Sequence, residues 1–436
     1  MPIINIRQFN IKSLKKNFSL HIFFKRKFSI EIFFTVLIIL GIPLNLYKNR
    51  FYDNSWTVGE WLISYAGGFV RRGLPGELIH FISNHYSLSP ILLVWLLSVF
   101  ALLSLASLVL NFCKNLFDKS FLLSQLIILA PLSEDYFVRK DAFLVLSYGL
   151  SLLIMKALYQ KRIKKLIVIL AVNFISMIAI FSHESYGIWG LPSLLIIFFL
   201  FEKSDKKNTF RSFLYATLFL MPSIFSFSLC WFFKGDINHS LMIHQSWQSL
   251  AEIMPSISAL YKKEPTGAIA AIGWGTSQVF TSSLLSQFNL FIFWHPGMWF
   301  LTIYIAMRLF IGNKKDLNQK LKRTIICSQL IAFIPMFLFV DIGRWIFMWL
   351  TSSALLFSFL YQTFGQRKLL YFSSILRGEQ ILTKIIPGFT STKNYNYVLL
   401  FFGIPHCCWS LGRYLVSNPI GFGIKNIIFY TKFLFS

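Results

Sequence analysis

Long runs of hydrophobic residues follow one another along this 436-residue chain, and short clusters of basic residues separate them. Many runs approach the ~20 residues that a helix needs to cross a bilayer. Lipid cannot satisfy exposed backbone groups, so helices are the expected spanning elements. The pattern predicts an all-α, polytopic integral membrane helix bundle of about 10–12 transmembrane helices. The predicted spans are Ile30–Tyr47, Ser89–Phe112, Phe121–Leu132, Ala142–Leu158, Leu166–Ser182, Tyr186–Phe201, Ser212–Phe232, Leu290–Phe310, Thr324–Val340, Trp345–Phe364 and Tyr395–Leu411.

The chain is predicted to form one membrane domain between two short terminal segments. A basic segment, residues 1–29, precedes the bundle, which covers residues 30–412 and carries outer loops at about residues 48–88 and 233–288. Residues 413–436 form either a short further span or an interfacial helix. Little of the chain is left for a separate soluble domain.

The distribution of charge sets the predicted orientation. Most of the 42 lysines and arginines fall in the segments predicted to face the cytoplasm, as the positive-inside rule requires. We therefore predict a multi-pass protein of a bacterial inner (cytoplasmic) membrane with a cytoplasmic N-terminus. The net charge of +25 lies in short loops between spans, so it does not indicate a nucleic-acid partner. The five cysteines form no CxxC pair, and no metal or cofactor is expected.

Most of the charges that lie close to a span fall on the predicted outer face. Arg71 and Arg72 stand between glycines, and an arginine fork with nearby backbone N–H groups is suited to phosphate or carboxylate. An interfacial helix that contacts lipid headgroups is the alternative. Arg139, Lys140 and Asp141 follow Glu134-Asp135 at the mouth between two predicted spans. Two interpretations of these charges are open. They face the bundle interior or an aqueous cavity, or they lie in a solvated hairpin that holds a local Asp–Arg pair.

Two further polar groups lie at span ends. His183 and Glu184 close the fifth predicted span, and a histidine can serve there as a general base. Because the two are adjacent, we expect Glu184 to have a different partner. Asp341 and Arg344 are three residues apart and can form a pair. Trp345 is either an interfacial anchor or a surface on which a sugar stacks.

The stretch from Arg139-Lys-Asp141-Ala142 to Ser182-His183-Glu184-Ser185, with the basic Lys161–Lys165 turn between two spans, resembles the EpsG/Wzy-type polysaccharide polymerases. The resemblance implies polymerisation of oligosaccharide repeat units carried on undecaprenyl diphosphate, at the outer leaflet and without metal. It implies a Wzy-like bundle, with membrane lipids around it and a chain-length regulator as a candidate partner.

We predict, on these grounds, a membrane glycosyltransferase that makes O-antigen, capsule or exopolysaccharide. The predicted diphosphate ligands are Arg71, Arg72, Arg139, Lys140 and Arg344; the predicted acid–base residues are His183, Glu184, Asp141 and Asp341. A second hypothesis is a GT-C-like transferase that moves one sugar from a polyprenyl carrier, with Asp53 or Glu60 in the first outer loop as the base. A third is a transporter or flippase for lipid-linked glycans, although such proteins place their charges near the bilayer midplane.

Overall fold

The computed structural model describes residues 28–51, 55–132, 137–205, 208–251, 264–274, 294–313, 319–337, 341–375, 395–405 and 417–435. These residues form helices and contain no strand, which confirms the predicted all-α membrane bundle. The α-helices are α1 (Phe28–Phe51), α2 (Thr57–Trp61), α3 (Gly73–Tyr86), α4 (Pro90–Cys113), α5 (Lys119–Leu123), α6 (Asp141–Tyr159), α7 (Lys165–Ser182), α8 (Ser185–Asp205), α9 (Thr209–Phe219), α10 (Met221–Phe232), α11 (Ile237–Ala251), α12 (Gly267–Ala270), α13 (Trp294–Gly312), α14 (Gln319–Phe337), α15 (Ile342–Ile375), α16 (Tyr395–Phe401) and α17 (Pro419–Phe435).

Six described helices are long and apolar enough to cross a membrane, and each matches a predicted span. They lie within α1, α4, α6, α7, α8 and α15. A seventh span is formed if α9 and α10 count as one, although they meet at a bend of 62°. The break has a local cause, because Pro222 opens α10 and lacks the backbone N–H that a continuous helix needs.

Helix α15 is the centre of the bundle. Its most apolar stretch is entirely buried within the protein, and it packs against α4, α6, α13 and α14. Around it, α6 pairs with α7, α7 with α10, and α8 with α9. Helix α17 packs along α1, where the Tyr430 hydroxyl donates to the Leu40 carbonyl at 2.8 Å.

The predicted third span, Phe121–Leu132, is wrong as a helix. Only Lys119–Leu123 is α-helical, and a turn at Ser124 leads to a short 3-10 helix at Ala130–Leu132. Every residue from 120 to 132 is buried. Irregular backbone is tolerated at membrane depth where protein surrounds it, and the Asn45 amide supplies one such contact by donating to the Leu132 carbonyl at 3.0 Å. A short apolar run does not reveal whether its backbone is helical.

The two predicted outer loops pack against each other and cover one end of the bundle. The Trp247 indole donates to the Leu62 carbonyl at 2.7 Å, and the Ala268 backbone N–H donates to the Ser55 carbonyl at 3.1 Å. A third link joins the Arg71 backbone N–H to the carbonyl of Phe233. Helices α2 and α3 of the first loop thereby pack against α11 and α12 of the second.

Candidate functional site

Four chain segments meet at the covered end of the bundle and bring their charged side chains together. They are α2 with the Arg71-Arg72 turn, the start of α6, the junction of α7 and α8, and the start of α15. We call this group the charged site; its members are Glu60, Arg71, Arg72, Arg139, Lys140, Asp141, His183, Glu184, Asp341 and Arg344. All nine residues predicted from the sequence belong to it.

Glu60 lies at the centre of the charged site. It is 2% exposed, and its Oε1 atom lies 3.1 Å from Nε2 of His183 and 3.8 Å from Nη2 of Arg344. Its Oε2 atom is buried and has no hydrogen-bond partner among the residues that the structure describes. Burial acts to raise the pKa of Glu60, but the charge of Arg344 and the hydrogen bond with His183 outweigh it and hold the pKa well below its usual range.

The hydrogen bonds of His183 fix the position of its proton. The backbone N–H of Ser185 donates to Nδ1 at 3.2 Å, so the neutral ring carries its proton on Nε2 and donates it to Glu60. Burial and the nearby charge of Arg72 lower the pKa of His183 from its ordinary value, which favours this neutral form. His183 therefore orients Glu60 and has no free nitrogen with which to accept a proton.

Glu184 pairs with the two arginines of the first outer loop, a partner distinct from His183 as its adjacency predicts. Arg72 donates through Nε and Nη2 to both carboxylate oxygens, at 2.8 and 2.5 Å. Arg71 adds a longer bond of 3.2 Å from Nη1. Burial acts to raise the pKa of Glu184, yet the charges of Arg72 and Arg71 hold it well below the usual range.

The two arginines remain partly accessible, with side-chain exposures of 21% and 23%. The Nε atom of Arg71 is buried and donates a hydrogen bond to no acceptor in the described part of the chain. Arg72 adopts a left-handed backbone conformation with φ of 67°, which directs the chain into α3. The pair thus offers guanidinium donors at the edge of the site, beyond those that Glu184 occupies.

The start of α15 is joined to the start of α6 by buried ion pairs. Arg344 donates to both oxygens of Asp141, at 2.8 Å from Nε and 2.6 Å from Nη2. Arg139 lies 3.0 Å from Asp341, which is also 3.6 Å from Arg344. The predicted Asp341–Arg344 pair exists, but each residue has a shorter contact with the other segment. Asp141 has both oxygens engaged, so the geometry gives it a positioning role and not the predicted acid–base role.

Two predicted side chains lie away from the open edge of the site. Lys140 is fully buried, and its ammonium donates to backbone carbonyls, so its geometry does not fit the predicted contact with diphosphate. Trp345 is 5% exposed and packs beneath the Arg344 guanidinium at 4.7 Å, so it is neither an interfacial anchor nor an open stacking surface. Asp53, Glu134 and Asp135 lie outside the described residues.

From the sequence, Glu60 is a candidate only as the base of the second hypothesis. The signal that could have ranked it higher is its place one residue before Trp61, in a loop otherwise predicted to hold exposed residues. In the part of the chain that the structure describes, no three His, Cys, Asp or Glu side chains are grouped to hold a metal ion. The cationic surroundings of Glu60 are suited to a negatively charged ligand.

A family described as "Uncharacterised membrane protein Rv1490" matches residues 29–246 of the chain. The match covers half of the 436 residues, and the chain belongs to this family. It includes Glu60, both arginines of the first loop and the His183-Glu184 pair, and it ends before the start of α15. No curated protein and no solved structure matches the chain.

Proposed function

We propose that this protein is a membrane glycosyltransferase that takes a sugar from a polyprenyl phosphate or diphosphate carrier at the outer face of a bacterial inner membrane. The observation that carries the proposal is Glu60, a buried carboxylate with a lowered pKa at the covered end of the bundle, one oxygen of which has no hydrogen-bond partner among the described residues. It lies among arginines that offer further donors to an anion. Helices long and apolar enough to cross a membrane would place the protein in the lipid phase where such a carrier resides.

The chemistry follows from this arrangement. The hydroxyl of an acceptor sugar donates its hydrogen bond to Oε2 of Glu60, while the carrier phosphate contacts Arg71 and Arg72. As the new C–O bond forms at the anomeric carbon, the bond to the phosphate oxygen breaks. The hydroxyl proton passes to Glu60, and the carrier leaves as an anion that the arginines stabilise.

The low pKa of Glu60 decides how it acts. An ionised carboxylate with a depressed pKa is a weak base towards an ordinary hydroxyl. It does, however, accept a strong hydrogen bond and orients the attacking oxygen. Proton transfer to Glu60 is therefore late, after bond formation has made the hydroxyl acidic. His183 supports this role because it donates to the other oxygen of the same carboxylate.

The position of Glu60 favours the single-sugar transferase over the polymerase predicted from the EpsG/Wzy resemblance. The second hypothesis placed its base in the first outer loop, and Glu60 of that loop lies against His183 and Arg344 in the charged site. The polymerase remains the alternative within the same reaction class. A flippase is disfavoured because the charged site lies at one end of the spanning helices.

The test is glycan analysis of the encoding bacterium after deletion of this protein. Complementation would use the wild type, Glu60→Gln, and Asp236→Asn as a matched control. Asp236 is also a carboxylate paired with a histidine, 2.8 Å from His239, but its side chain is 61% exposed. We expect Glu60→Gln to lose about 10²–10⁴-fold in activity and Asp236→Asn to restore wild-type glycan.

The glycan that accumulates separates the alternatives. Truncated lipid-linked units in the deletion strain support the single-sugar transferase. Complete single units on lipid, with no ladder of longer chains, support the polymerase. Unchanged surface glycan in the deletion strain, or full complementation by Glu60→Gln, overturns the proposal.

A further inference from the structure

Lys140 is a buried cation at the point where the segments of the charged site converge. Its side chain is fully buried, and its Nζ atom donates to the Ser182 carbonyl at 2.9 Å and to the Arg72 carbonyl at 3.4 Å. The same atom lies 5.7 Å from the centre of the Trp61 ring. One ammonium group therefore contacts three segments that are far apart in the sequence.

Each contact is next to a side chain that the proposed reaction uses. Ser182 directly precedes His183, and Trp61 directly follows Glu60. Arg72 itself pairs with Glu184. Lys140 directly precedes α6, and its neighbours Arg139 and Asp141 add the links to α15 described above.

Both carbonyls need a partner at this place. The Ser182 carbonyl is at the end of α7, where the last carbonyls of a helix have no partner within it and a cation is favourable. The Arg72 carbonyl belongs to a residue with φ of 67°, a conformation that costs a non-glycine residue free energy unless its surroundings hold it. An ammonium group supplies three donors and can satisfy both.

We propose that Lys140 is the positioning residue that assembles the charged site, holding the Arg72 turn and the His183 turn against α2. It does this through backbone carbonyls and not through the ligand. The inference rests on the proposed function for its catalytic meaning, whereas the structural bridge stands on the contacts alone.

The bridge depends on pH because burial lowers the pKa of Lys140 to about 7, against the opposing charges of Glu60 and Glu184 and with the added charge of Arg72. Opening the turns exposes Lys140 to solvent and returns its pKa towards the ordinary value. Above about pH 7 the opened site therefore binds a proton that the closed site does not, and opening becomes less favourable as pH rises. His183, Glu60 and Glu184 have pKa values below their ordinary ones, so none of them titrates in the same range.

Hydrogen exchange of the purified protein in nanodiscs tests the bridge without any substrate. The probes are amides whose bonds close the two turns: Gly73 to Val70, His183 to Ala179, and Tyr186 to His183. In Lys140→Met we expect exchange at these amides to rise about tenfold or more, as expected for the loss of a hydrogen bond to a charged group. Lys156→Met is the control, because Lys156 lies at the other end of α6 and its ammonium donates to Gln362 of α15.

A pH series on the wild type gives the same test without a substitution. After correction for intrinsic exchange, protection of both turns should rise as pH increases from 7 to 9. Protection that is flat or falls with pH overturns the inference. So does Lys140→Met if its exchange becomes faster in only one of the two turns, or equally faster across all helices. If the turns loosen as expected while the deletion strain keeps normal glycan, the proposed function fails and the bridge stands.

Discussion

The Nε2 atom of His183 lies 3.1 Å from Oε1 of Glu60, with both side chains buried and with Nδ1 occupied by the Ser185 backbone N–H. This relationship makes histidine the hydrogen-bond donor and glutamate the acceptor. Among the described residues it leaves Oε2 of Glu60 as the carboxylate oxygen without a hydrogen-bond partner. The roles of the two residues can be separated by substitution.

We predict that His183→Gln retains more activity than His183→Ala. A glutamine amide can place an N–H near the position of Nε2 and keep the bond to Glu60, whereas alanine leaves a buried carboxylate oxygen without it. The expected loss is about tenfold for glutamine and 10²-fold or more for alanine. Glycan restored in the deletion strain is the measurement. Equal, complete loss in both folded variants would contradict the orienting role of His183.

Removing one partner of the Arg344–Asp141 pair should destabilise the protein more than replacing both partners. Both side chains are buried, so removal of one leaves an uncompensated charge that costs about 3–5 kcal/mol. We expect Arg344→Met to lower the apparent unfolding temperature more than the double variant Arg344→Met, Asp141→Leu. A double variant as unstable as the sum of both single variants would contradict this coupling.

Local rules predicted the pairs that neighbours in sequence form, but not the pairs between segments. Spacing predicted the Asp341–Arg344 contact, which is 3.6 Å long in the structure. The shorter contacts of Arg344 with Asp141 and of Arg139 with Asp341 join α6 to α15 across about two hundred residues, which no local periodicity encodes. The residues of the site were predictable; their partners were not.

The central place of Glu60 depends on packing in the same way. Its loop is predicted to be outside the membrane, and exposure would be the ordinary expectation for a glutamate there. The structure buries it because α2 is covered by the second loop, through bonds such as Trp247 to Leu62. The predicted third span, Phe121–Leu132, is wrong for a related reason. Its residues are apolar because they are buried, and burial does not require that they form a helix.

Substitutions of the two partners in the Arg72–Glu184 pair should have opposite effects on anion binding. Glu184→Gln removes the negative charge that engages Nε and Nη2 of Arg72, so inorganic diphosphate should bind about tenfold tighter. Arg72→Gln should weaken binding by a similar factor. Arg211→Gln, an exposed arginine beside Tyr215, is the control and should change nothing. Calorimetric titration measures all four proteins, and weaker binding by Glu184→Gln would exclude the arginines as the anion site.

Acid should destabilise the protein in two stages. The folded pKa of His183 is lowered, so below its unfolded value of about 6.5 the unfolded chain binds a proton that the folded chain does not. Glu60 and Glu184 also have lowered folded pKa values, so their stabilisation is present above about 4.3 and is lost as pH falls through the folded values. The apparent unfolding temperature should fall from pH 7 to pH 5 and fall further below. His183→Gln should remove the first stage, and a wild-type curve flat above pH 5 would contradict it.

Gly76 lets α3 approach the chain that follows α2. A Cβ atom there would lie 2.0 Å from the Ile63 carbonyl oxygen, which is backbone and cannot rotate away. Gly76→Ala should therefore displace α3 from the segment that carries Glu60 and lower stability by about 1–3 kcal/mol or more. Gly297→Ala in α13, where a Cβ meets no described residue within 4 Å, is the matched control and should be neutral or slightly stabilising. Because Arg72 directly precedes α3, we also expect Gly76→Ala to weaken diphosphate binding. Wild-type stability and binding in Gly76→Ala would show that α3 moves freely relative to the charged site.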